Sequence, residues 1–201
     1  MSTAVPELPP LTPGARRVLD AASDLFYERG IHAVGVDTIA AAAGVTKKTL
    51  YDRFGSKEAL VVSYLQHRDA RWREHVAAHL ARVPEAGPAR VLAIFDAAIS
   101  WVPGHSTKGC SAINARAEID GPGDAPLVLA EARREKEWLL AVFAELCGEA
   151  GFHDPDRLAE TLMLLYEGAI VTVGMGTFAE PFATARDSAR RLLESAASDA
   201  S

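Results

Sequence analysis

A short polar segment near the amino terminus carries the side chains best suited to binding another molecule. Hydroxyl and cationic side chains recur at positions that a helix would turn outward: Thr46, Lys47, Lys48, Thr49, Tyr51 and Arg53. Lysine ammonium groups can reach acceptor atoms on base edges in a DNA major groove, and hydroxyl groups can donate to phosphate. Thr46 suits a helix N-cap, where free backbone N–H groups also favour an anion. These residues predict contact with double-stranded DNA.

The surrounding residues predict a helix-turn-helix that would position these side chains. One short helix is expected over residues 37–43 and a second over 46–54, with Lys57 at the start of a third, where it could hold a phosphate. Gly44 falls in the turn, which needs a left-handed backbone that glycine adopts without strain. Small Ala40 lets the two helices cross closely. A helical hairpin with a merely solvated polar face would show the same pattern, so the pattern alone leaves both readings open.

The segment GVTKKTLYDRFGSKEAL, preceded by AASDLFYERG at residues 21–30, resembles the amino-terminal domain of the TetR family of bacterial transcriptional regulators. The resemblance implies that the helix over residues 46–54 enters the major groove and that Lys57 contacts backbone phosphate. It also implies repression. Beyond this quarter of the chain, the resemblance rests on size, helical content and a loose GC..IN...E pattern over residues 109–118. Many family members have a hydroxyl residue where this chain has Gly35, so the phosphate contact of that residue would be either missing or supplied by Thr38.

The composition predicts a globular, mostly helical protein. The chain has 201 residues, of which 49% are hydrophobic and 24% are charged. No apolar run reaches membrane-spanning length, and the first residues lack the basic start and apolar stretch of a signal peptide. We therefore expect a cytoplasmic protein that does not enter a membrane.

The distribution of charge is compatible with DNA binding despite a net charge of −6. Residues 1–60 balance seven Lys or Arg against seven Asp or Glu, so the net negative charge belongs to residues 61–201. A neutral module with cations gathered on one helix can bind DNA, with an affinity that falls steeply as salt rises.

The cysteines and histidines show no spacing typical of a metal site or a catalytic centre. Cys110 and Cys147 are far apart, so buried free thiols are expected, with redox sensing as the alternative. That alternative needs an exposed thiol beside a cation, and the sequence shows no cationic cluster that guarantees one. His75 and His79 lie four residues apart and could share a metal, although a third ligand is not evident. We predict no metal and no cofactor.

Helical periodicity predicts an all-α fold with about nine helices. Residues 1–11 read as a disordered proline-rich arm, residues 12–60 as the helix-turn-helix DNA-binding domain, and residues 61–201 as an effector-binding and dimerisation domain. Outside the helix-turn-helix, helices are expected over residues 13–29, 89–102, 108–120, 127–150, 156–173 and 183–197, with a long helix from Ser56 that joins the two domains. Pro103 and Gly104 are expected to end the helix that precedes them.

The last two helices are expected to form a dimer interface, as the resemblance implies. Residues 156–173 carry two apolar stripes, one through Leu158 and Leu162 and the other through Ala159 and Tyr166. Two apolar stripes need two apolar neighbours, so one stripe is expected to face a second copy. Together with residues 183–197, they predict a homodimer that reads a roughly palindromic operator.

A small, mostly apolar effector of unknown identity is expected to bind the carboxy-terminal domain and to shift the spacing of the two recognition helices. Its site is predicted from aromatic or flexible side chains beside isolated polar groups: Phe95, Trp101, Asn114, Glu118, Trp138, Phe143, Met163 and Tyr166. Ordinary core packing is the alternative for each of them. Asn114 and Glu118 are expected as a buried polar pair, either satisfied internally or available to a ligand.

The sequence also bears on two other classes of function. An enzyme is disfavoured, since the sequence has no HExxH motif, nucleophile elbow, phosphate-binding glycine loop or spaced metal-ligand set. A helical scaffold that binds another protein instead of DNA stays open. A salt-dependent complex with DNA would distinguish it from a regulator.

Overall fold

A computed structural model describes residues 5–119, 121 and 123–198. The described residues form nine helices and no strand: α1 Pro13–Arg29, α2 Val36–Ala42, α3 Lys47–Phe54, α4 Lys57–Leu80, α5 Pro88–His105, α6 Ser111–Ala117, α7 Pro126–Glu149, α8 Pro155–Met175 and α9 Pro181–Ser198. This architecture confirms the all-α class and the helix-turn-helix that the sequence predicts.

The chain forms two compact units, each with its own helices. Among the described residues, the head unit comprises those of the ranges 6–70 and 111–135, and the body unit comprises those of the ranges 71–110 and 136–198. Of the predicted arm, residues 1–4 lie outside the described residues. Leu11, at its other end, is partly buried against the core of the head unit. The functional boundary expected at residue 60 stays a prediction.

The head unit is built on α1, α2 and α3, which pack against one another. Val18, Leu19, Ala22 and Phe26 recur at helical spacing on α1 and are all buried, as are Ile39 and Leu50 on the next two helices. Gly44 has φ +64°, and the following Val45 N–H donates to the Ala40 carbonyl at 3.0 Å, which closes the turn. The left-handed turn therefore fixes the crossing of α2 and α3.

Leu50 is the apolar anchor of α3, so its truncation should destabilise the protein. The side chain is 0% exposed, and we expect Leu50→Ala to lower the free energy of unfolding by about 2–5 kcal/mol, because a buried cavity replaces its contacts. Urea unfolding measures the change. Leu127→Ala removes a leucine side chain that is 57% exposed and should shift stability by less than about 0.5 kcal/mol. Equal losses in the two variants would contradict the buried packing of α3.

The body unit is organised around α9, which packs against both α5 and α8. Two boundaries differ from the expected ones. Helix α5 continues past Pro103 to His105, so the predicted break at residues 103–104 is wrong. Near the end of a helix, proline forfeits only one of the last backbone hydrogen bonds, which makes it tolerable there.

Helix α6 is shorter than the expected range of 108–120. It begins at Ser111, because Gly109 has φ +80° and cannot continue a right-handed helix. It ends at Ala117, and residue 120 lies outside the described residues.

The exposed apolar face of helix α8 is not the one that the sequence predicts. The residues chosen for the two expected stripes are mostly buried within the chain itself, including Leu158, Ala159, Leu162 and Tyr166. The outward apolar face is instead a third stripe, at spacings of four, three and four residues: Leu164, Gly168, Val171 and Met175. Leu164 is 74% exposed and Met175 is 72% exposed. This α8 stripe is an apolar helix face that the described part of the chain leaves uncovered.

The 21 residues of α8 are long and apolar enough to cross a membrane by length and composition. This corrects the expectation that no segment reaches that length. Charged residues interrupt the apolar sequence of α8, so its overall apolar character shows only over the whole length of the helix. Length and composition alone do not separate a membrane span from a core or interface helix.

Candidate nucleic-acid interface

Helix α3 starts and ends with well-formed local interactions. The Thr49 N–H donates to Thr46 Oγ1 at 3.1 Å, which makes Thr46 the N-cap. Gly55 has φ +76° and ends the helix. The Ala59 N–H then donates to Ser56 Oγ at 3.0 Å at the start of α4. These capping interactions fix the residues at which α3 begins and ends, and the side chains on its outward face remain available for other contacts.

The outward face of α3 carries most of the residues that the sequence singled out for DNA. The exposed ones are Thr38, Thr46, Lys47, Lys48, Tyr51 and Arg53, whereas Thr49 and Lys57 are partly buried. Leu50 points the opposite way and is buried. The structure thus leaves most of the predicted polar side chains of α3 accessible, on a short helix that is anchored by the buried Leu50.

Both lysines of this face are held by carboxylates, which the sequence reading missed. Lys47 Nζ lies 3.1 Å from Asp37 Oδ2, and Lys48 Nζ lies 2.7 Å from Asp52 Oδ2. All four side chains are between 49% and 83% exposed, and such exposed pairs contribute about 0–1 kcal/mol. A DNA phosphate or base edge can therefore compete for each lysine. The spacing of Lys48 and Asp52 could have revealed one pair, whereas the other joins two helices.

Lys57 occupies a more enclosed position than the other cations. Burial lowers its pKa from the ordinary lysine value, and the negative charge of Glu118 partly offsets that effect. It lines a mostly apolar cavity of about 220 Å³ with Ile31, Val61 and Glu118, all within the head unit. Lys57 can still present its ammonium group at the amino-terminal end of α4, where an anion is favoured.

Glu118 has a structural role that the sequence did not indicate. Its two carboxylate oxygens accept the backbone N–H groups of Ile31 and His32 at 2.9 and 2.7 Å. It also lies 3.2 Å from the position that a Cβ at Gly30 would take, so a larger residue there would crowd the carboxylate. Glu118 therefore ties the segment after α6 to the turn after α1. Of the two expected alternatives for Glu118, internal satisfaction is the one observed.

The predicted effector residues separate into two groups. Asn114 and Glu118 belong to the head unit, and Asn114 is exposed, so the expected buried polar pair is wrong. Six others lie in the body unit, all buried except the partly buried Met163: Phe95, Trp101, Trp138, Phe143, Met163 and Tyr166.

Three aromatic rings of that second group touch one another. The centroids of Phe95 and Phe143 are 5.7 Å apart, and those of Phe95 and Tyr166 are 6.2 Å apart. Burial raises the pKa of the Tyr166 phenol well above its ordinary value. We call Phe95, Phe143 and Tyr166 the aromatic cluster. Its buried rings form an apolar centre in the body unit.

Trp138 presents a polar atom inside the same unit. Its ring lies 4.3 Å below the guanidinium carbon of Arg73, in a cation–π contact. Its indole N–H is buried, and no acceptor for it is found among the described residues. A buried donor of this kind favours a ligand or a water molecule that brings an acceptor atom.

The paired histidines of α4 face a serine. His75 Nε2 lies 2.8 Å from Ser100 Oγ, which also lies 3.2 Å from His79 Nε2. Burial and the neighbouring His79 lower the pKa of His75. Within the described ranges, no three His, Cys, Asp or Glu side chains come together in a way that could hold a metal ion.

Comparison with known proteins finds sequence likeness in the head unit. The profile described as "Bacterial regulatory proteins, tetR family" matches residues 18–64. The HTH-type transcriptional activator FasR of Mycolicibacterium smegmatis is 50% identical over 50 residues, covering 25% of this chain and 23% of that protein. The HTH-type transcriptional repressor KstR2 of Rhodococcus jostii is 42% identical over 67 residues, 31% of this chain and 33% of its own. The chain spans about a third or less of the length of the curated relatives it matches.

Likeness of fold extends over nearly the whole chain. A TetR-family transcriptional regulator from Streptomyces coelicolor has a TM-score of 0.78 and 28% identity, covering 92% of this chain and 95% of its own. A regulator of the same kind from Streptomyces avermitilis has a TM-score of 0.70 and 29% identity, with 89% and 98% of the two chains covered. The fold of both units is therefore shared, while the recognisable sequence is concentrated around α1 to α4.

Proposed function

This chain belongs to the TetR family of bacterial regulatory proteins, and from that premise we propose that it is a homodimeric transcriptional regulator that binds a roughly palindromic DNA operator. The exposed polar face of α3, anchored from behind by buried Leu50, carries the proposal. Its cations and hydroxyl groups match the acceptors of a major groove and the flanking phosphates. The named relatives are transcriptional regulators rather than enzymes, and we propose the same of this protein, acting in the cytoplasm.

The operator contacts are assigned to the head unit. Lys47 and Lys48 exchange their carboxylate partners for base edges or phosphates, and Arg53 reaches the backbone. Thr46, Thr49 and Tyr51 donate hydroxyl hydrogen bonds to phosphate. Further phosphate contacts come from Thr38 and Lys57. Because Gly35 offers no hydroxyl group, Thr38 is the exposed hydroxyl on α2 that can replace it.

Dimerisation through residues 156–173 and 183–197 is supported by the α8 stripe. An exposed apolar helix face of this kind marks an interaction surface on a protein that otherwise covers its apolar groups. A single short recognition helix reads too few base pairs for useful specificity, whereas a two-fold dimer reads two half-sites. A two-fold dimer would therefore use the α8 stripe as its interface and the two copies of α3 to read the two half-sites.

We further propose that a small, mostly apolar effector binds in the body unit and releases the protein from its operator, so that the protein is a repressor. The aromatic cluster and Trp138 support a ligand with an apolar frame and one acceptor atom. The rings of the aromatic cluster are in contact, so a ligand that enters between them must favour an arrangement in which they move apart. One relative named above is an activator and another a repressor, and the direction of regulation follows from which state binds DNA.

Selection of bound sequences from a random DNA pool tests the proposed function. We expect a motif with two related half-sites whose centres are about one helical turn, or a multiple of it, apart. The logarithm of the binding constant should fall linearly with the logarithm of salt concentration. Enrichment of no sequence, with the full-length protein folded and dimeric, would leave the protein-binding scaffold as the better reading. A ligand screen against the selected site then identifies the effector.

A further inference from the structure

The cavity beside Lys57, which we call the head cavity, is separate from the effector site proposed in the body unit. Its volume is about 220 Å³, and most of its lining is apolar. Val61, Ala115 and Val128 belong to this lining, and none of them is more than 2% exposed. An apolar cavity of about 150 Å³ is large enough to hold benzene. The head cavity therefore has room for one ring with a short substituent.

Four segments of the head unit contribute to the lining of the head cavity. Ile31 comes from the turn after α1, Val61 from α4, Ala115 from α6 and Val128 from the start of α7. The sequence could not show this cavity, since its lining residues are distant in the chain. A ligand in the head cavity would contact all four segments at once.

The charged side chains of the lining differ in their hydrogen-bond partners. Both carboxylate oxygens of Glu118 accept backbone N–H groups of the turn after α1. Glu58 Oε1 accepts the Leu127 N–H at 2.9 Å. The Lys57 ammonium group is attracted by the charge of Glu118, but it has no hydrogen bond or ion pair with any residue that the structure describes. Lys57 is thus the donor that a ligand in the head cavity can use.

The balance of charge in the lining favours a neutral ligand. The carboxylates of Glu58 and Glu118 outnumber the ammonium group of Lys57. A second carboxylate brought by a ligand would be repelled by both of them, and a ligand ammonium group would lie beside Lys57. A carbonyl oxygen can accept a hydrogen bond from Lys57 without adding a charge to a mostly apolar cavity.

We propose that the head cavity binds a neutral single-ring molecule whose carbonyl oxygen accepts a hydrogen bond from Lys57 while the ring packs among Val61, Ala115 and Val128. The bound ligand withdraws Lys57 from the operator phosphate and so weakens DNA binding. This effect on DNA rests on the proposed function, whereas the binding site itself does not.

Titration of the full chain with acetophenone, in the absence of DNA, tests the site. The protein is labelled with ¹³C at the δ1-methyl groups of isoleucine. The signals of Ile31 and Ile119, which line the head cavity, should shift with a dissociation constant of about 0.1–1 mM. Ile94 and Ile170 report on the body unit. Shifts confined to those two residues, or no shift at all, would overturn the assignment.

A series of ligands of similar size tests the role of Lys57. Ethylbenzene has no acceptor and should bind the wild type about tenfold more weakly than acetophenone. Lys57→Met should bind the two ligands within about twofold of each other, while Lys57→Arg should keep the preference for acetophenone. Benzoate and benzylamine should each bind at least about tenfold more weakly than acetophenone. A charged ligand that binds as tightly as acetophenone would overturn the neutral class.

Two identical substitutions on α6 separate the head cavity from any other site. Ala115→Leu fills the cavity and should abolish the shifts, whereas Ala117→Leu changes an exposed residue outside the lining and should bind acetophenone like the wild type. Saturating acetophenone should weaken operator binding about tenfold in Ala117→Leu and not in Ala115→Leu. An equal effect on both variants would overturn the proposed effect on DNA. If circular dichroism shows Ala115→Leu to be misfolded, the comparison of ligands in Lys57→Met decides the question. Because the methyl titration contains no DNA, it decides the binding site even if no operator is selected.

Discussion

Replacing Lys47 and Lys48 together with alanine is expected to weaken operator binding by about 1,000-fold, since a dimer would lose four cationic contacts worth about 1 kcal/mol each. Both side chains are exposed and point away from the buried face of α3. The loss should therefore come from DNA contacts and leave the fold intact. Fluorescence anisotropy with the selected operator at fixed salt measures the change.

The control variant is Arg71→Ala, which removes an exposed cation that belongs to the body unit and not to α3. It should bind the operator within about twofold of the wild type. Thermal unfolding should be the same for all three proteins within about 2 °C, because surface substitutions have small effects on stability. If the double variant and the control lose affinity equally, α3 does not read DNA.

Removing a carboxylate that pairs with one of these lysines should have the opposite effect and tighten operator binding. Asp52 lies 2.7 Å from Lys48 and is itself exposed. A carboxylate on this face repels phosphate and retains its lysine, so Asp52→Asn should tighten binding by about twofold to tenfold and weaken its dependence on sequence. If this face of α3 contacted only solvent, neither the lysine nor the aspartate substitutions would change the operator affinity.

How far the sequence predicts this protein depends on the range of the interactions concerned. The ends of α1 and α3 were predicted closely because local groups set them. Thr12 caps α1, Thr46 caps α3, and Gly30 and Gly55 end these helices with positive φ. Capping and left-handed glycine are properties of a few adjacent residues and can be read directly from the chain. The helix-turn-helix was predictable for that reason.

Contacts between distant residues were not predictable. Glu118 meets the turn after α1 across more than 80 residues, and Lys136 meets Cys110 across 26. Periodicity identified the face of a helix but not its neighbour, so Asn114 was expected inside and is exposed. For α8, two apolar stripes were assigned to two partners, although the chain buries most of both by itself. The third stripe stood out only once the buried residues of α8 had been located.

Substituting the α8 stripe with charge should abolish the dimer and, through it, operator binding. Leu164 is 74% exposed and Val171 is 47% exposed, so Leu164→Arg with Val171→Arg costs the isolated chain little packing. In a two-fold interface, by contrast, four unpaired cations would be buried, each with a penalty of several kcal/mol. We expect a monomer in sedimentation velocity at micromolar concentration, with an apparent operator affinity reduced by about 1,000-fold or more.

Leu127→Arg is the matched control, because it places the same charge on an exposed leucine that belongs to the head unit and not to α8. It should leave the sedimentation coefficient of the dimer unchanged. Circular dichroism should show equal helix content in both variants. A double variant that remains dimeric would place the interface elsewhere on the protein. A monomeric variant that keeps full operator affinity would show that one head unit reads DNA alone, which would remove the reason for a palindromic operator.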